Sequence, residues 1–151
     1  MGSSFLPSEI TAAFLWAQLE NLDKVQTKRL QLWERYYERL NSPLLQKIIK
    51  LPAFPGYATN NDHIFYVICS DIECRDELIQ RLKLKGILAV FHYISLHDSP
   101  FYRLKYKDKD QDFSSSKKYT DCLLRLPLFY ELDFKVIDQI RETIDETAKI
   151  L

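Results

Sequence analysis

The stretch HIFYVICSDIECRDELIQRLKLKGILAVFHYI, residues 63–94, decides the class of fold. Its first seven residues are rich in aromatic and β-branched side chains and predict a short strand buried on both faces. Ser70 and Glu73 then have the spacing of a capping box, which predicts a helix that Gly86 ends. The apolar run at 87–94 predicts a second strand. Strand, helix and strand in succession indicate an α/β fold.

Upstream of this unit, residues 8–40 keep apolar side chains at helical spacing with no internal proline or glycine. Ser8 is the predicted N-cap, and Pro43 follows the far end. Because this segment is long for a globular helix, we expect either one long helix or two in tandem with a break near 21–24. Residues 41–61 carry three prolines and one glycine and predict a connection over the surface, with a domain boundary nearby.

Downstream, residues 98–118 are polar and charged and predict a long loop with one short helix at its end. Loops of this length are either functional or exposed excursions, and the sequence leaves both readings open. Residues 122–130 predict a third strand, which Pro127 would end or confine to an edge. Residues 134–150 predict an amphipathic helix with Asp133 as its N-cap. We therefore expect a small, mostly antiparallel sheet with packed helices.

Composition excludes several classes of function. The 21 basic and 21 acidic side chains balance, so no overall positive field would attract nucleic acid or anionic lipid. Three glycines are too few for a glycine-rich phosphate loop. The three cysteines lack C-x-x-C spacing and predict buried, reduced thiols in the cytoplasm. No apolar run approaches the ~20 residues that span a bilayer, so we expect no membrane partner.

The segment AVFHYISLHDSP, residues 89–100, holds two of the three histidines. His92 and His97 are five positions apart, which places them on opposite faces of a strand or ~140° apart on a helix. No third ligand with zinc-like spacing is near, and we therefore predict no metal site. No serine or cysteine has a recognisable nucleophile context either. The spacing leaves two readings open, a ligand-facing strand end and an ordinary structural one.

Three segments, read together, resemble a known family. GSSFLPSEITAAFLWAQLENLDK, AVFHYISLHDSP and LLRLPLFYEL are similar, in this order and spacing, to the C-terminal portion of the DegT-type nucleotide-sugar aminotransferases. The likeness is strongest to members that act on TDP-4-keto-6-deoxy-D-glucose in surface-polysaccharide synthesis. The resemblance implies the aspartate-aminotransferase fold (pyridoxal-phosphate fold type I) and a homodimer with active sites at the subunit interface. It also implies that pyridoxal 5'-phosphate, bound to a lysine, carries an amino group from glutamate to C4 of the keto sugar.

The resemblance assigns roles to four residues of this chain. Ser4 takes the position of a family residue that reaches the cofactor phosphate of the neighbouring subunit. His92, Tyr93 and His97 match the substrate-side strand end and become candidates for contact with the sugar or its diphosphate. The segment 98–118 would then border the nucleotide-sugar cleft.

The chain also departs from the family pattern. The family's cofactor-binding lysine and most of its phosphate contacts precede the matching part, and Lys117 and Lys118 match no such motif. We therefore assign no catalytic residue and expect a fragment or split product that is inactive alone and completed by an N-terminal half in trans or within a homodimer. Residues 1–41 would end the large domain and connect it to a small α/β domain at 42–151. The alternative is a stand-alone, non-catalytic interaction or nucleotide-sugar-binding domain.

Overall fold

The computed structural model describes residues 6–106 and 112–150, and this part of the chain contains six α-helices and four β-strands. The helices are α1 (Glu9–Leu19), α2 (Leu22–Leu40), α3 (Ile72–Leu84), α4 (Pro100–Tyr106), α5 (Ser114–Cys122) and α6 (Phe134–Ala148). The strands are β1 (Ile49–Lys50), β2 (Phe65–Cys69), β3 (Val90–Phe91) and β4 (Leu123–Leu126). Short 3-10 turns lie at Leu45–Lys47 and Leu96–Asp98.

The four strands form one sheet in the order β1-β2-β4-β3, and every pair is antiparallel. The central pair aligns Phe65 with Leu126, and β3 joins the far edge with Val90 opposite Arg125. The predicted α/β class with a small antiparallel sheet is confirmed. The prediction that β2 is buried on both faces is wrong, because Tyr66 and Ile68 are only half-buried. One face of β2 is covered more completely than the other.

The core lies where α2, α3 and α6 pack together and against the sheet. Phe65 is fully buried, with the ring of Tyr36 stacked on it at 4.7 Å and the ring of Trp33 edge-on at 5.3 Å. The Tyr36 hydroxyl donates a 2.8 Å hydrogen bond to the carbonyl of Pro127. This bond lets a large polar ring be buried, since an unpaired buried hydroxyl would cost about 1–3 kcal/mol.

The N-terminal helical segment is broken into two helices, which the sequence allows as one of two outcomes. α1 ends at Leu19 and α2 starts at Leu22, close to the expected break. Ser8 caps α1 as predicted, since its hydroxyl accepts the N–H of Thr11 at 3.3 Å. The two helices differ in burial. α1 buries no residue, whereas α2 buries Leu32 and two further side chains on one face.

Three local expectations around the sheet need correction. The N-cap of α3 is Asp71 and not Ser70, because the Asp71 carboxylate accepts the N–H of Cys74 at 2.8 Å. The second predicted strand shrinks to two residues of β3. The connection at 41–61 contains β1, which no periodicity marked because it has only two residues. The expected stop after α3 is confirmed, since Gly86 has a φ of +75°, a conformation that glycine adopts at little cost.

The short helix expected at the end of 98–118 is confirmed as α5, but the expected long loop before it is wrong, because α4 occupies most of its described part. The Asp112 carboxylate accepts the N–H and the hydroxyl of Ser114, which favours the start of α5. Packing of α5 against α3 and the sheet then stabilises a helix that has little apolar surface of its own. β4 ends before Pro127, and Asp133 caps α6, both as predicted.

All three cysteines are buried free thiols, in agreement with the sequence-based prediction of a structural role. The Cys74 thiol lies 3.8 Å from the carbonyl of Ile48, in the range of a weak S–H···O contact. A hydrogen bond with Cys74, together with burial, raises the pKa of the Cys69 thiol. Cys69 therefore stays protonated at neutral pH. Of the helices in the described ranges, none combines the length and the apolar character that crossing a bilayer needs.

Candidate functional site

The candidate site lies at one edge of the sheet, where the chain leaves β3. From His92 onward the backbone passes through the 3-10 turn at Leu96–Asp98 into α4. This exit segment, residues 92–99, runs beside α5, which also contacts β2, β3 and β4. The sheet therefore supplies a fixed base, and the exit segment projects its side chains beyond the edge.

A hydroxyl cluster fastens the exit segment to α5. The Ser95 hydroxyl is buried and lies 2.8 Å from the hydroxyl of Ser116, and it also hydrogen-bonds that of Thr120. Arg75 of α3 donates a 2.9 Å hydrogen bond to the carbonyl of Thr120. Sequence reasoning missed this cluster because Ser95 and Ser116 are 21 positions apart and no short motif connects them. The cluster fixes the position of the residues on either side of Ser95.

His97 lies two residues beyond this attachment and lines a cleft of about 230 Å³. Its ring stacks on Phe113 with centroids 4.2 Å apart and planes only 8° from parallel. Tyr102 meets the same Phe113 ring edge-on at 6.0 Å. Asp98 and Arg103 complete the lining of the cleft. The cleft therefore combines flat aromatic surfaces with a charged pair.

The charges of the cleft centre on Asp98. Arg103 Nη2 lies 2.6 Å from Asp98 Oδ1, and His97 Nε2 lies 3.7 Å from Asp98 Oδ2. The hydrogen bond from Arg103 holds the pKa of Asp98 below its ordinary value, and the charges of His97, Arg103 and Lys117 act in the same direction. Asp98 is therefore ionised at neutral pH. Among the described residues that act on this carboxylate, Arg103 and Lys117 are permanent cations and His97 is an imidazole, a set of basic groups that suits an anionic ligand.

His92 and Tyr93 do not join His97 in this cleft, since neither is among the described residues that line it. They lie directly after β3, with ring centroids 4.4 Å apart and planes at 60°. Tyr93 is 72% exposed. His92 Nδ1 is buried, and none of the residues at 6–106 and 112–150 offers it a hydrogen bond. The three predicted substrate residues thus form two groups along one segment.

The predicted cofactor contact cannot be placed in the same way. Ser4 lies outside the described residues. The hydroxyl of Ser8, the residue directly before α1, is engaged in capping the helix. In its described part, the N-terminus therefore shows a helix cap and no phosphate cradle, and no chemical step is assigned through the cofactor. Within the same ranges, no group of three or more His, Cys, Asp or Glu side chains is placed to hold a metal ion.

Comparison with protein families gives a match over nearly the whole chain. The model described as the DegT/DnrJ/EryC1/StrS aminotransferase family matches residues 1–145. The chain belongs to this family. The match includes the exit segment, α4, α5 and most of α6, so the candidate site lies within the part that is shared with other members.

Solved structures of aminotransferases have the same fold. PseC from Helicobacter pylori, an aminotransferase involved in the biosynthesis of pseudoaminic acid, is 18% identical over 100% of this chain and 40% of its own, with a TM-score of 0.82. DesV from S. venezuelae is 26% identical over 91% of this chain and 36% of its own, with a TM-score of 0.78.

A third protein, Spr1654 from Streptococcus pneumoniae, was solved in a PMP form and a PLP form. It is 20% identical over 89% of this chain and 33% of its own in the PMP form, with a TM-score of 0.73. These likenesses confirm the expected aminotransferase fold. The chain spans only about a third to two fifths of the length of the solved structures it matches.

Proposed function

We propose that this chain is the substrate-side portion of a nucleotide-sugar aminotransferase that uses pyridoxal 5'-phosphate. Membership of the aminotransferase family supports the reaction class and the cofactor. The transfer of an amino group from glutamate to C4 of a TDP-4-keto-6-deoxyhexose, for surface-polysaccharide synthesis, rests on the sequence resemblance. In the complete enzyme the cofactor supplies an electron sink, and this chain supplies side chains that hold the sugar nucleotide.

The observation that carries the proposal is the position of His97. Its ring is held by stacking on Phe113, and the buried Ser95 attachment lies two residues away. A side chain fixed on both sides in this way is already oriented when a ligand arrives, which reduces the ordering cost of binding. The imidazole is polar, lies at a cleft and has a carboxylate beside it. These properties suit a hydrogen bond to a sugar hydroxyl or to a phosphate oxygen.

His92 and Tyr93 support the same role from a neighbouring position. A buried ring nitrogen that lacks a partner costs roughly 1–3 kcal/mol, and His92 Nδ1 has none within the described ranges. A substrate group, or another part of the complete enzyme, would supply that partner. Tyr93 presents an exposed phenol next to it. Both side chains therefore remain proposed substrate contacts.

The exposed face of α1 supports the proposed assembly. Phe14 and Trp16 are 71% and 67% exposed, although both are large and apolar. Exposed apolar surface of this kind indicates a face that another part of the protein covers. We propose that residues 1–41 connect to the large cofactor domain, and that the active site forms in a homodimer or with an N-terminal half in trans.

The first experiment is a cofactor titration of the purified chain, alone and mixed with a lysine-bearing N-terminal half from a related aminotransferase. We expect the visible absorbance of bound pyridoxal phosphate, and amino transfer to the keto sugar, only in the mixture. No absorbance in either sample, with the chain folded by circular dichroism, would overturn the proposal. It would favour the alternative of a non-catalytic interaction or nucleotide-sugar-binding domain.

A matched pair of histidine variants tests the site within the active mixture. His97→Ala is expected to lower kcat/KM for the keto sugar about tenfold, which corresponds to roughly 1.4 kcal/mol of lost transition-state binding. His63→Ala is the control, since His63 lies before β2 and bonds Asn61 at 2.6 Å. Equal activity of the two variants would show that His97 does not contact the substrate.

A further inference from the structure

Arg103 is the side chain of the cleft to which no role has yet been given. Its Nη2 bonds Asp98, whereas Nε and Nη1 have no hydrogen-bond partner among the described residues. Its side chain is 64% exposed, so the free donors are open to solvent. A guanidinium carries five N–H donors in a rigid planar fork, a geometry that matches two oxygens of a phosphate group. Arg103 therefore keeps unused donors beside the cleft.

The charges around Arg103 favour an anion over a neutral ligand. Lys117 lies close enough to act on the charge of Asp98, and His97 lies 3.7 Å from the same carboxylate. The carboxylate of Asp112, next to Phe113 in the chain, is already bonded to the backbone and hydroxyl of Ser114. Among the described residues that line the cleft, Asp98 is the only carboxylate, and both Arg103 and Lys117 act on it. A phosphate oxygen that enters the cleft could accept the hydrogen bond that Arg103 now donates to Asp98.

The size of the cleft limits which part of a ligand fits. At about 230 Å³ it is smaller than the roughly 300–1,000 Å³ of pockets that enclose drug-sized ligands. It cannot enclose a whole nucleotide sugar. A diphosphate is compact, doubly charged and suited to guanidinium donors, whereas a base or pyranose ring would leave the charged pair unused.

We propose that Arg103 binds the diphosphate of the nucleotide-sugar substrate. When substrate is absent, the Asp98 carboxylate accepts a hydrogen bond from the Arg103 guanidinium instead. This assignment rests on the proposed function, which supplies the nucleotide sugar as ligand. The role differs from that proposed for His97, because Arg103 would recognise charge and not the sugar. Asp98 acts as a competitor for the same donors, so its removal should strengthen binding.

The test is a calorimetric titration of the chain alone with TDP, with thymidine as the uncharged control. We expect TDP to bind with a Kd below about 10 mM and thymidine not to bind in that range. Arg103→Gln should weaken TDP binding about fivefold, a loss reduced from that of a buried charge-assisted bond by the exposure of the side chain. Lys105→Gln is the matched control, since Lys105 is also exposed on α4 and lies over the rings of Phe101 and Tyr106.

The variant Asp98→Asn distinguishes two roles of Asp98: competition with the diphosphate for Arg103, and orientation of the Arg103 side chain. If Asp98 competes with the diphosphate, this variant binds TDP about threefold more tightly, whereas a carboxylate that orients Arg103 would give weaker binding when replaced. Absence of TDP binding by the unmodified chain, equal losses in Arg103→Gln and Lys105→Gln, or equal binding of thymidine would each overturn the proposal. Unchanged thermal unfolding midpoints show that the variants are folded.

The two proposals fail in distinguishable ways. The titration reports on this chain alone and needs no cofactor, whereas the proposed function is tested by absorbance and amino transfer in the mixture with an N-terminal half. TDP binding without activity in the mixture would keep the role of Arg103 and overturn the transaminase. Activity in the mixture without TDP binding by the chain would keep the transaminase and overturn the role of Arg103.

Discussion

The two N-terminal helices both carry large apolar side chains but differ in burial. α1 carries five large apolar side chains, all more than half exposed: Ile10, Phe14, Leu15, Trp16 and Leu19. In α2 the side chains of Leu32, Tyr36 and Leu40 are completely buried against the sheet and α6. The difference does not come from hydrophobicity, since α1 is the more apolar helix of the two. It comes from what lies opposite each helix.

The comparison teaches that burial depends on the surface that lies opposite a helix, and not on the apolar content of the helix alone. α2 has a narrow apolar stripe facing a core, with charged residues on its other side, as an amphipathic helix should. The apolar side chains of α1 are spread around the helix, a pattern typical of a helix enclosed on several sides. The continuous helical segment 8–40 thus divides into α1, which is exposed, and α2, which packs on the core.

The largest effect is expected in the core that α2 completes. Phe65→Ala removes the ring that stacks on Tyr36 and meets Trp33, and we expect a loss of about 3–5 kcal/mol in the free energy of unfolding. Urea denaturation followed by circular dichroism measures this loss. Phe14→Ala in α1 is the matched control, with an expected change within about 0.5 kcal/mol. Similar losses in both variants would contradict the contrast between the helices.

A smaller effect on the free energy of unfolding is expected at the start of α3, which follows β2 directly in the chain. Asp71→Ala removes the carboxylate that accepts the N–H of Cys74 and should cost about 1 kcal/mol at neutral pH. That hydrogen bond lowers the pKa of Asp71 in the folded state from 3.8. The stabilisation is therefore complete above pH 3.8 and is lost as the pH falls through the lower folded-state pKa.

Denaturation at a series of pH values tests this sign. The difference between the unmodified chain and Asp71→Ala should shrink once the pH falls below 3.8. Asp71→Asn is the control, because asparagine caps helices about as well and does not titrate. A difference that stays constant down to about pH 2 would show that the carboxylate charge does not contribute to the cap.

The smallest effect on stability, but a measurable effect on association, is expected in α1. The double variant Phe14→Ser and Trp16→Ser should change the free energy of unfolding by no more than about 0.5 kcal/mol per site, since both side chains are exposed. It should reduce self-association of the isolated chain in sedimentation velocity, because it removes part of a large apolar patch. Leu84→Ser replaces an exposed leucine on α3 and serves as control. An equal reduction by this control would contradict a specific role for α1.

Sequence periodicity is sufficient to predict the helices and strands that have a clear apolar face. The tandem helices, β2, α3, β4 and α6 follow from spacing and from caps such as Ser8 and Asp133. β1 and β3 were missed or overextended because strands of two residues have too little periodicity to be recognised. The polar composition of 98–118 predicts a short helix only at its end, where α5 lies, and does not predict α4. Packing of α5 on α3 and the sheet stabilises a helix of low apolar content.

The candidate site shows the same division between local and non-local information. The segment with His92, Tyr93 and His97 was identified from sequence and resemblance, and their contact with substrate stays a prediction. Sequence could not show that His97 stacks on Phe113 or that Arg103 pairs with Asp98 beside the cleft. These contacts depend on where α4 and α5 place their side chains.

By itself the sequence determined the class of fold, the main helices and strands, and the aminotransferase family, because these depend on local periodicity, caps and ordered motifs. Only the tertiary structure decided that Ser95 fastens the exit segment to α5, that Arg103 keeps donors open beside the cleft, and that α1 lies exposed. The physical reason is that each of these features depends on which segments lie beside it in space. Hydrogen bonds and burial join residues that are far apart in sequence, and no local pattern records which of them will meet.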